Sequence, residues 1–302
     1  MPSPAQRRLG STLTGLAFCL PWIVGLLVFT LYPVVASLFY SFCDYSVLDS
    51  PIWIGGENYA RLLHDRVFWI SLKNTLIYSA FSIPLGIVVA LALALLLNCE
   101  VRGRAIFRTI FYLPAIVPLV ASSMLWLWIF NGTYGLMNWL LGPLFHLFNM
   151  APPGWLGDPE WAKPALIIMS LWGVGNSMII FLAGLQDVPR ELYESAEIDG
   201  ANPWQRFWNV TLPMISPVIY FNLIMGIITS LQMFTQVFVM TGGASGDPAR
   251  STLLYALYLF ATAFYDLRMG YASAMAWILF LVILALTLLA TKSMEKRTHY
   301  AR

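Results

Sequence analysis

NTLIYSAFSIPLGIVVALALALLLNC, residues 74–99, runs for 26 positions without an aspartate, glutamate, lysine or arginine. The hydrocarbon core of a bilayer is about 30 Å thick, and about 20 apolar residues of helix cross it. Whatever spans lipid must satisfy its own backbone, as a helix or as a strand of a closed barrel. Here Leu, Ala, Val and Ile follow one another without alternating with polar residues, so the stretch reads as helix. Five further uncharged runs lie outward from it, at 11–43, 109–157, 164–186, 207–246 and 269–291. The 302 residues are 59% hydrophobic and 11% charged, where a soluble domain carries about 25% charged residues. The expected fold is all-α and polytopic, with six transmembrane helices at roughly 13–41, 72–98, 107–130, 164–186, 210–240 and 270–291.

Two runs exceed one span. Asn131-Gly132-Thr133-Tyr134-Gly135 breaks the helix after Phe130. Leu136 to Met150, interrupted by Gly142-Pro143 and holding His146, is expected to lie in the membrane interface. Ser251 to Tyr265 is uncharged for 15 residues, too short for an ordinary span, and reads as a re-entrant or interfacial helix. Pro114 and Pro118 in the third span, with Pro213 and Pro217 at the start of the fifth, predict kinks. In the outer loop 42–71, Trp53-Ile54-Gly55-Gly56-Glu57-Asn58-Tyr59 reads as a turn and a short amphipathic segment. The first run follows Arg7-Arg8 like a signal peptide, but its length exceeds a signal's apolar core, so it is expected to be a retained anchor.

Six spans place both termini on one side. With them inside, the inner segments hold Arg7, Arg8, Arg102, Arg104, Arg108, Arg190, Arg206, Lys292, Lys296, Arg297 and Arg302, eleven bases. The outer segments hold Arg61, Arg66, Lys73, Lys163, Arg250 and Arg268, six bases, as the positive-inside rule requires of cytoplasmic termini. Cys19, Cys43 and Cys99 are too scattered for a disulfide framework or a metal knuckle and read as packing residues.

The inner loop 187–208 and its continuation read DVPRELYESAEIDGANPWQRFWNVTLPMISP, Asp187 to Pro217. Pro189 suits a helix start, Gly200 suits the left-handed residue that ends one, and Asn202-Pro203 suits a second helix start. On the first helix Leu192 and Ala196 are expected to share a face, with Tyr193 and Ser195 beside them and Glu191 and Glu194 wet. Small residues flanked by charge suit docking against a protein partner; a solvated amphipathic loop fits the local pattern equally.

Glu194-Ser195-Ala196, Asp199-Gly200-Ala201, Phe207, Val210, Leu212-Pro213 and Pro217 resemble the signature of permease subunits of binding-protein-dependent ABC importers, specifically the maltose/glycerol-phosphate type carbohydrate permeases. Ser195 replaces the first alanine of their Glu-Ala-Ala stretch. Gly56-Glu57-Asn58-Tyr59, Asn74-Thr75, Gly103-Arg104, Phe107-Arg108, Leu113-Pro114, Tyr134-Gly135 with Asn138, Ala263-Phe264, Gly270 and Ala272 match family positions too. Thr241-Gly242-Gly243-Ala244-Ser245 departs from the usual Thr-Gly-Gly-Gly-Pro. The resemblance covers roughly residues 13 to 291 and implies a type I ABC importer permease fold over one transmembrane domain, residues 1–302. It implies a sugar, oligosaccharide or polyol as cargo, and a bacterial or archaeal cytoplasmic membrane as location. Glu194, Ser195, Ala196, Asp199, Gly200, Ala201, Leu212 and Pro213 would couple the chain to an ATPase subunit dimer carrying ATP and Mg²⁺. The other implied partners are a second permease subunit in a heterodimer, an extracytoplasmic solute-binding protein and membrane lipid, with no nucleic acid and no cofactor on this chain.

Polar residues at membrane depth are functional candidates by default. Asn222, Gly226, Ser230, Met233 and Gln236 or Val237 follow helical spacing in the fifth span, beside Gln232. Trp172, Asn176 and Ser177 make a polar and aromatic patch in the fourth, and the sixth offers Ser273 and Trp277. Amides and hydroxyls beside an aromatic ring suit a sugar, although such residues also join transmembrane helices. The substrate candidates are therefore Trp172, Asn176, Asn222, Ser230, Gln232, Met233, Gln236, Ser273 and Trp277. Trp126, Trp128, Trp139 and Trp155 read as interfacial belt residues, and Asp266 with Arg268 as a wet pair at the outer edge.

No phosphate-binding Gly-x-x-x-x-Gly-Lys-Ser/Thr loop surrounds any of the four lysines, Lys73, Lys163, Lys292 and Lys296, so a separate ATPase is required. No charged residue falls within an expected span, which disfavours a proton- or sodium-coupled carrier. His64, His146 and His299 are scattered, and no catalytic constellation or metal site emerges.

Overall fold

The computed structural model describes residues 4–99 and 102–295; Lys296, Arg297, His299 and Arg302 lie outside the described residues. Helix α1 (Pro4–Leu26) passes through a π-turn at Leu27–Leu31 into α2 (Tyr32–Ser41). Strands β1 (Cys43–Asp44) and β2 (Ile52–Trp53) follow, then α3 (Glu57–His64), α4 (Arg66–Asn98), α5 (Arg104–Ile116), α6 (Leu119–Ile129) and α7 (Leu136–Leu147). Next come α8 (Pro159–Trp172), α9 (Gly175–Gln186), α10 (Arg190–Ile198), α11 (Pro203–Arg206), a π-turn at Phe207–Thr211, and α12 (Leu212–Met214). The chain continues as α13 (Ser216–Leu231), α14 (Thr235–Met240), α15 (Tyr255–Phe260) with a π-turn at Ala261–Tyr265, and α16 (Met269–Glu295).

Three helical stretches, Gly15–Ser41, Arg66–Asn98 and Met269–Ser293, are long and apolar enough to cross a membrane unaided. Three more candidates are bent pairs: Arg104–Ile116 with Leu119–Ile129 at 100°, Pro159–Trp172 with Gly175–Gln186 at 48°, and Pro203–Met214 with Ser216–Leu231 at 64°. The expected spans 107–130, 164–186 and 210–240 are thus not single rods. Proline explains the first and third bends, since Pro114, Pro118, Pro213 and Pro217 cannot donate to the helix ladder. The second bend, at Gly173-Val174, has no proline and no sequence expectation.

The expected span 72–98 begins earlier, at Arg66. The Asp65 carboxylate accepts from the Val67 and Phe68 amides at 2.8 and 3.3 Å, capping the first turn. A charge-free window excludes Arg66 and Lys73, but long cations are tolerated near a helix end, where their heads reach water. Helix α7 runs unbroken through Gly142-Pro143, against the expected interruption.

The contacts divide the chain into two units. One holds the residues up to His64 with Thr262–Ile278. Within it β1 pairs antiparallel with β2, Cys43 opposite Trp53, a hairpin too short to be legible as a periodicity. Asn58 donates to the Ser41 and Cys43 carbonyls at 3.0 and 2.9 Å, and the Tyr59 hydroxyl to Ser41 Oγ at 2.8 Å. The Gly270 amide bonds the Tyr45 carbonyl at 3.0 Å, and a Cβ on Gly270 would collide with the Cys43 carbonyl. Glycine is required there by close approach. Arg268 lies 4.4 Å from the centre of the Tyr271 ring, a cation–π contact in place of the expected wet pair with Asp266. Cys43 is buried, while Cys19 and Cys99 are exposed, so a packing role holds for Cys43 alone among the three.

The other unit holds Asp65–Ala261 and the residues from Leu279. Its long helix α4 packs against α8, α9 and α13. One core cluster gathers Ala90, Ala94, Met178, Phe181 and Ile215. The second is aromatic: Trp126, Phe130 and Trp155 are at most 7% exposed and pack with Trp161 and Trp172. Trp126 and Trp155 are therefore core residues and not belt residues; Trp128 and Trp139, at 51% and 76% exposure, keep the belt reading. The Trp155 indole N–H finds Asn138 Oδ1 at 2.7 Å, which is how a buried indole is satisfied.

Candidate functional site: a cavity at the helix breaks

The second unit contains a cavity of about 580 Å³ walled by α4, α5, α6, α8, α9, α13 and α14. Three interruptions of regular helix meet at it. Pro114, Ala115 and Val117 line it from the 100° bend between α5 and α6. Gly173 and Val174 line it from the bend between α8 and α9, and Gln232, Met233 and Phe234 from a third break. That third break lies between the end of α13 at Leu231 and the start of α14 at Thr235. Phe234 sits at φ −133° and ψ −63° there, outside the helical region. Irregular backbone at membrane depth is tolerated where it lines a cavity, because free carbonyls and amides need something polar to meet.

Most of the substrate candidates converge on this space. Trp172 and Asn176 line it from α8 and α9. Asn222, Ser230, Gln232, Met233 and Gln236 line it from α13, α14 and the break. The expected helical row in the fifth span is broken, however: the chain unwinds after Leu231, and Val237 turns into the core at 0% exposure. Ser273 and Trp277, on α16, do not line the cavity.

The individual side chains differ in how free they are. Asn222 returns its amide to the Val218 carbonyl at 2.9 Å, and Ser230 Oγ bonds the Ile227 carbonyl at 3.3 Å. Gln232 is exposed to the space, at the C-terminal end of α13. Trp172 stands edge-on to Trp126 with ring centres 6.0 Å apart. Sequence reasoning missed Tyr78, Ser82, Ser122 and Ser170, which also line the cavity. Tyr78, Ser82 and Gly86 are spaced by four along α4, so one face of that helix was readable as a polar stripe. None of the lining residues is Asp, Glu, Lys, Arg or His. Among the described residues no group of three or more His, Cys, Asp or Glu could hold a metal.

The expected coupling loop forms the helix, turn and helix anticipated. Helix α10 ends in Gly200 at φ +77°. The Ala201 amide bonds the Ala196 carbonyl at 2.9 Å and the Gly200 amide the Glu197 carbonyl at 3.0 Å, a left-handed glycine closure. Asn202 then starts α11 with a capping box: its Oδ1 accepts from the Gln205 amide, and Gln205 Oε1 accepts from the Asn202 amide, both at 2.9 Å. Leu192 is 40% exposed, whereas Tyr193 packs on the core and its hydroxyl meets Thr211 Oγ1 at 3.0 Å. Glu197 pairs with Arg206, tying α10 to α11. No residue of α10 is buried, and Ile198 is 87% exposed. Glu194, Ser195, Asp199 and Gly200 are exposed with it, Ala196 and Ala201 half-buried; Leu212 and Pro213, also half-buried, begin α12.

Comparison with known proteins gives this geometry its context. The chain is 42% identical over 290 residues to the probable ABC transporter permease protein YesP of Bacillus subtilis (strain 168), covering 95% of this chain and 92% of that one. It is 34% identical over 280 residues to the trehalose/maltose transport system permease protein MalF of Thermococcus litoralis, covering 92% of each. A crystal structure of a bacterial ABC transporter involved in the import of the acidic polysaccharide alginate contains a chain that superposes with a TM-score of 0.83. That chain is 25% identical, with 98% of this chain and 100% of that one covered. The model of the binding-protein-dependent transport system inner membrane component matches residues 82–300. The chain belongs to that family: it is a multi-pass, all-α permease subunit of a binding-protein-dependent ABC importer.

Proposed function

We propose that the chain forms half of the pathway for an uncharged sugar, oligosaccharide or polyol, and that the cavity at the helix breaks is where the solute sits. The observation that carries this reading is the convergence of three interruptions on one space lined by hydroxyls, amides and an indole and by no charged side chain. Unwound backbone supplies hydrogen-bonding groups where a solute must shed water, amides and hydroxyls match sugar hydroxyls, and Trp172 offers an apolar face. The trehalose/maltose permease among its relatives supports the same class of cargo.

The rest of the machine lies on other chains. A second, related permease completes the pathway as a heterodimer, and an ATPase dimer holds ATP and Mg²⁺. The exposed helix Arg190–Ile198, with Ile198 at its end, seats in that ATPase; Glu194 to Ala201 transmit its closure to Leu212-Pro213 and the fifth span. The chain sits in a bacterial or archaeal cytoplasmic membrane with its termini and this loop on the cytoplasmic side, as the excess of inner bases supports.

The test is ATP hydrolysis by the four-component complex in lipid, with its binding protein and a panel of sugars and polyols, for wild type and Gly200→Val. A Cβ at Gly200 meets nothing within 4 Å, so the variant folds, but its backbone stands at φ +77°. A branched side chain there costs about 1–2 kcal/mol, which is about 5–30-fold in the population of the docking conformation. The expected result is stimulation by one solute in wild type and a matching loss of coupling in the variant. Solute flux through a chain that never retains an ATPase would instead make it a passive channel.

A further inference from the structure

Serine in an apolar helix ordinarily returns its hydroxyl to a carbonyl one turn back. Ser71, Ser123, Ser170 and Ser216 all do so, at 2.7–2.8 Å to Phe68, Leu119, Ile167 and Pro213. Ser82 on α4 does not. Its Oγ is buried and returns to no carbonyl, with only the Tyr78 hydroxyl reaching toward it beyond ordinary hydrogen-bond length, and the residue is 8% exposed. It nevertheless lines the cavity, between Tyr78 one turn before it and Gly86 one turn after. A buried hydroxyl left unmade costs about 1–3 kcal/mol, a cost that a ligand hydroxyl in the cavity would remove. Gly86 keeps the space beside it open: a Cβ there would approach only Val174, at 4.0 Å. Tyr78, 4% exposed, adds an aromatic edge and a second hydroxyl to the same stripe.

We infer that Ser82, with Tyr78 beside it, is a solute-contacting, specificity-determining residue of the cavity, hydrogen-bonding a hydroxyl of the bound sugar from α4. The inference rests on the reading of the cavity as the solute site. It adds a wall, on the long unbroken helix, to the contacts offered by the interrupted ones.

Two measurements on the assembled importer test it. The first uses Ser82→Cys and Ser79→Cys, each with Cys19→Ser and Cys99→Ser, reacted with a small hydrophilic methanethiosulfonate. Ser79 is as buried as Ser82, at 5%, and does not line the cavity. Labelling of Ser82→Cys about tenfold faster or more supports a cavity-facing side chain; equal rates overturn the proposal, whatever the cargo. The second reads the half-saturating concentration of binding-protein-delivered maltose, trehalose or lactose in stimulated ATP hydrolysis. Ser82→Ala is expected to raise it about tenfold for the stimulating sugar, with Ser82→Thr restoring most of the loss. A deoxy analogue of that sugar lacking the contacted hydroxyl should lose less in Ser82→Ala than in wild type, a change that a merely structural serine would not produce. An unshifted half-saturation in Ser82→Ala overturns the assignment. Wild type unresponsive to every sugar would overturn the sugar reading while the labelling ratio still decides Ser82.

Discussion

Asn74 does the most with one side chain. It is 5% exposed, donates to the Arg250 and Leu253 carbonyls at 2.9 and 3.1 Å, and accepts from Lys163 Nζ at 3.0 Å. Its neighbour Thr75 accepts from the Tyr255 amide at 2.7 Å, and Asp65 accepts from the Tyr258 hydroxyl at 2.6 Å. Helix α4 thus holds the chain that leads into α15 by satisfying its backbone, which is what a short apolar segment without its own full ladder needs. Asn74→Leu keeps the volume and leaves the Leu253 carbonyl and a lysine head unmet, each at about 1–3 kcal/mol, while the Arg250 carbonyl keeps its bond from the Leu253 amide at 3.2 Å. The unfolding midpoint in detergent is expected to fall by about 5 °C or more; an unchanged midpoint would show that water replaces the amide. Sequence matching singled out Asn74-Thr75 as a pair, but not this role, because their partners lie far along the chain and no local period connects them.

At the level of elements, close packing explains what hydropathy could not. Gly175 opens α9 directly against α5: a Cβ would stand 2.9 Å from the Phe111 carbonyl and 3.0 Å from Tyr112 Cα. Small residues let helix backbones approach in lipid, where dispersion and hydrogen bonding replace the hydrophobic drive. Gly175→Val must push backbone, so the expected outcome is a folded but loosened chain, cleaved faster by trypsin and weaker in solute-stimulated hydrolysis. Wild-type protease resistance would show that α5 yields at no cost. The apolar runs located all six candidate spans, and prolines located two of the bends, because length and a missing N–H are local properties. The bend at Gly173-Val174 and the unwinding at Gln232–Phe234 were not legible. Both are set by what surrounds them, and neither carries a residue that forbids helix. The cavity was half legible for the same reason: amides on α9 and α13 announce themselves, whereas Ser82 matters through the bond it does not make at home.

For the whole molecule, one thiol reports sidedness. Cys43 is buried, and Cys19 sits within the apolar stretch Gly15–Ser41 where a thiol meets lipid. Cys99 is exposed at the end of α4. A membrane-impermeant maleimide is expected to label Cys99 in inside-out vesicles and not in right-side-out ones. The reverse pattern would invert the topology and place Arg190–Ile198 beyond the reach of an ATPase. The aromatic core has an optical consequence of its own. Trp172 touches the cavity, meets Trp126 edge-on, and belongs to the cluster that includes Phe130, Trp155 and Trp161, the last pair 5.2 Å apart. Indoles this close exchange excitation, so a quencher that reaches Trp172 draws emission from its neighbours as well. The molecule carries its own fluorophore array, wired to the cavity through Trp172.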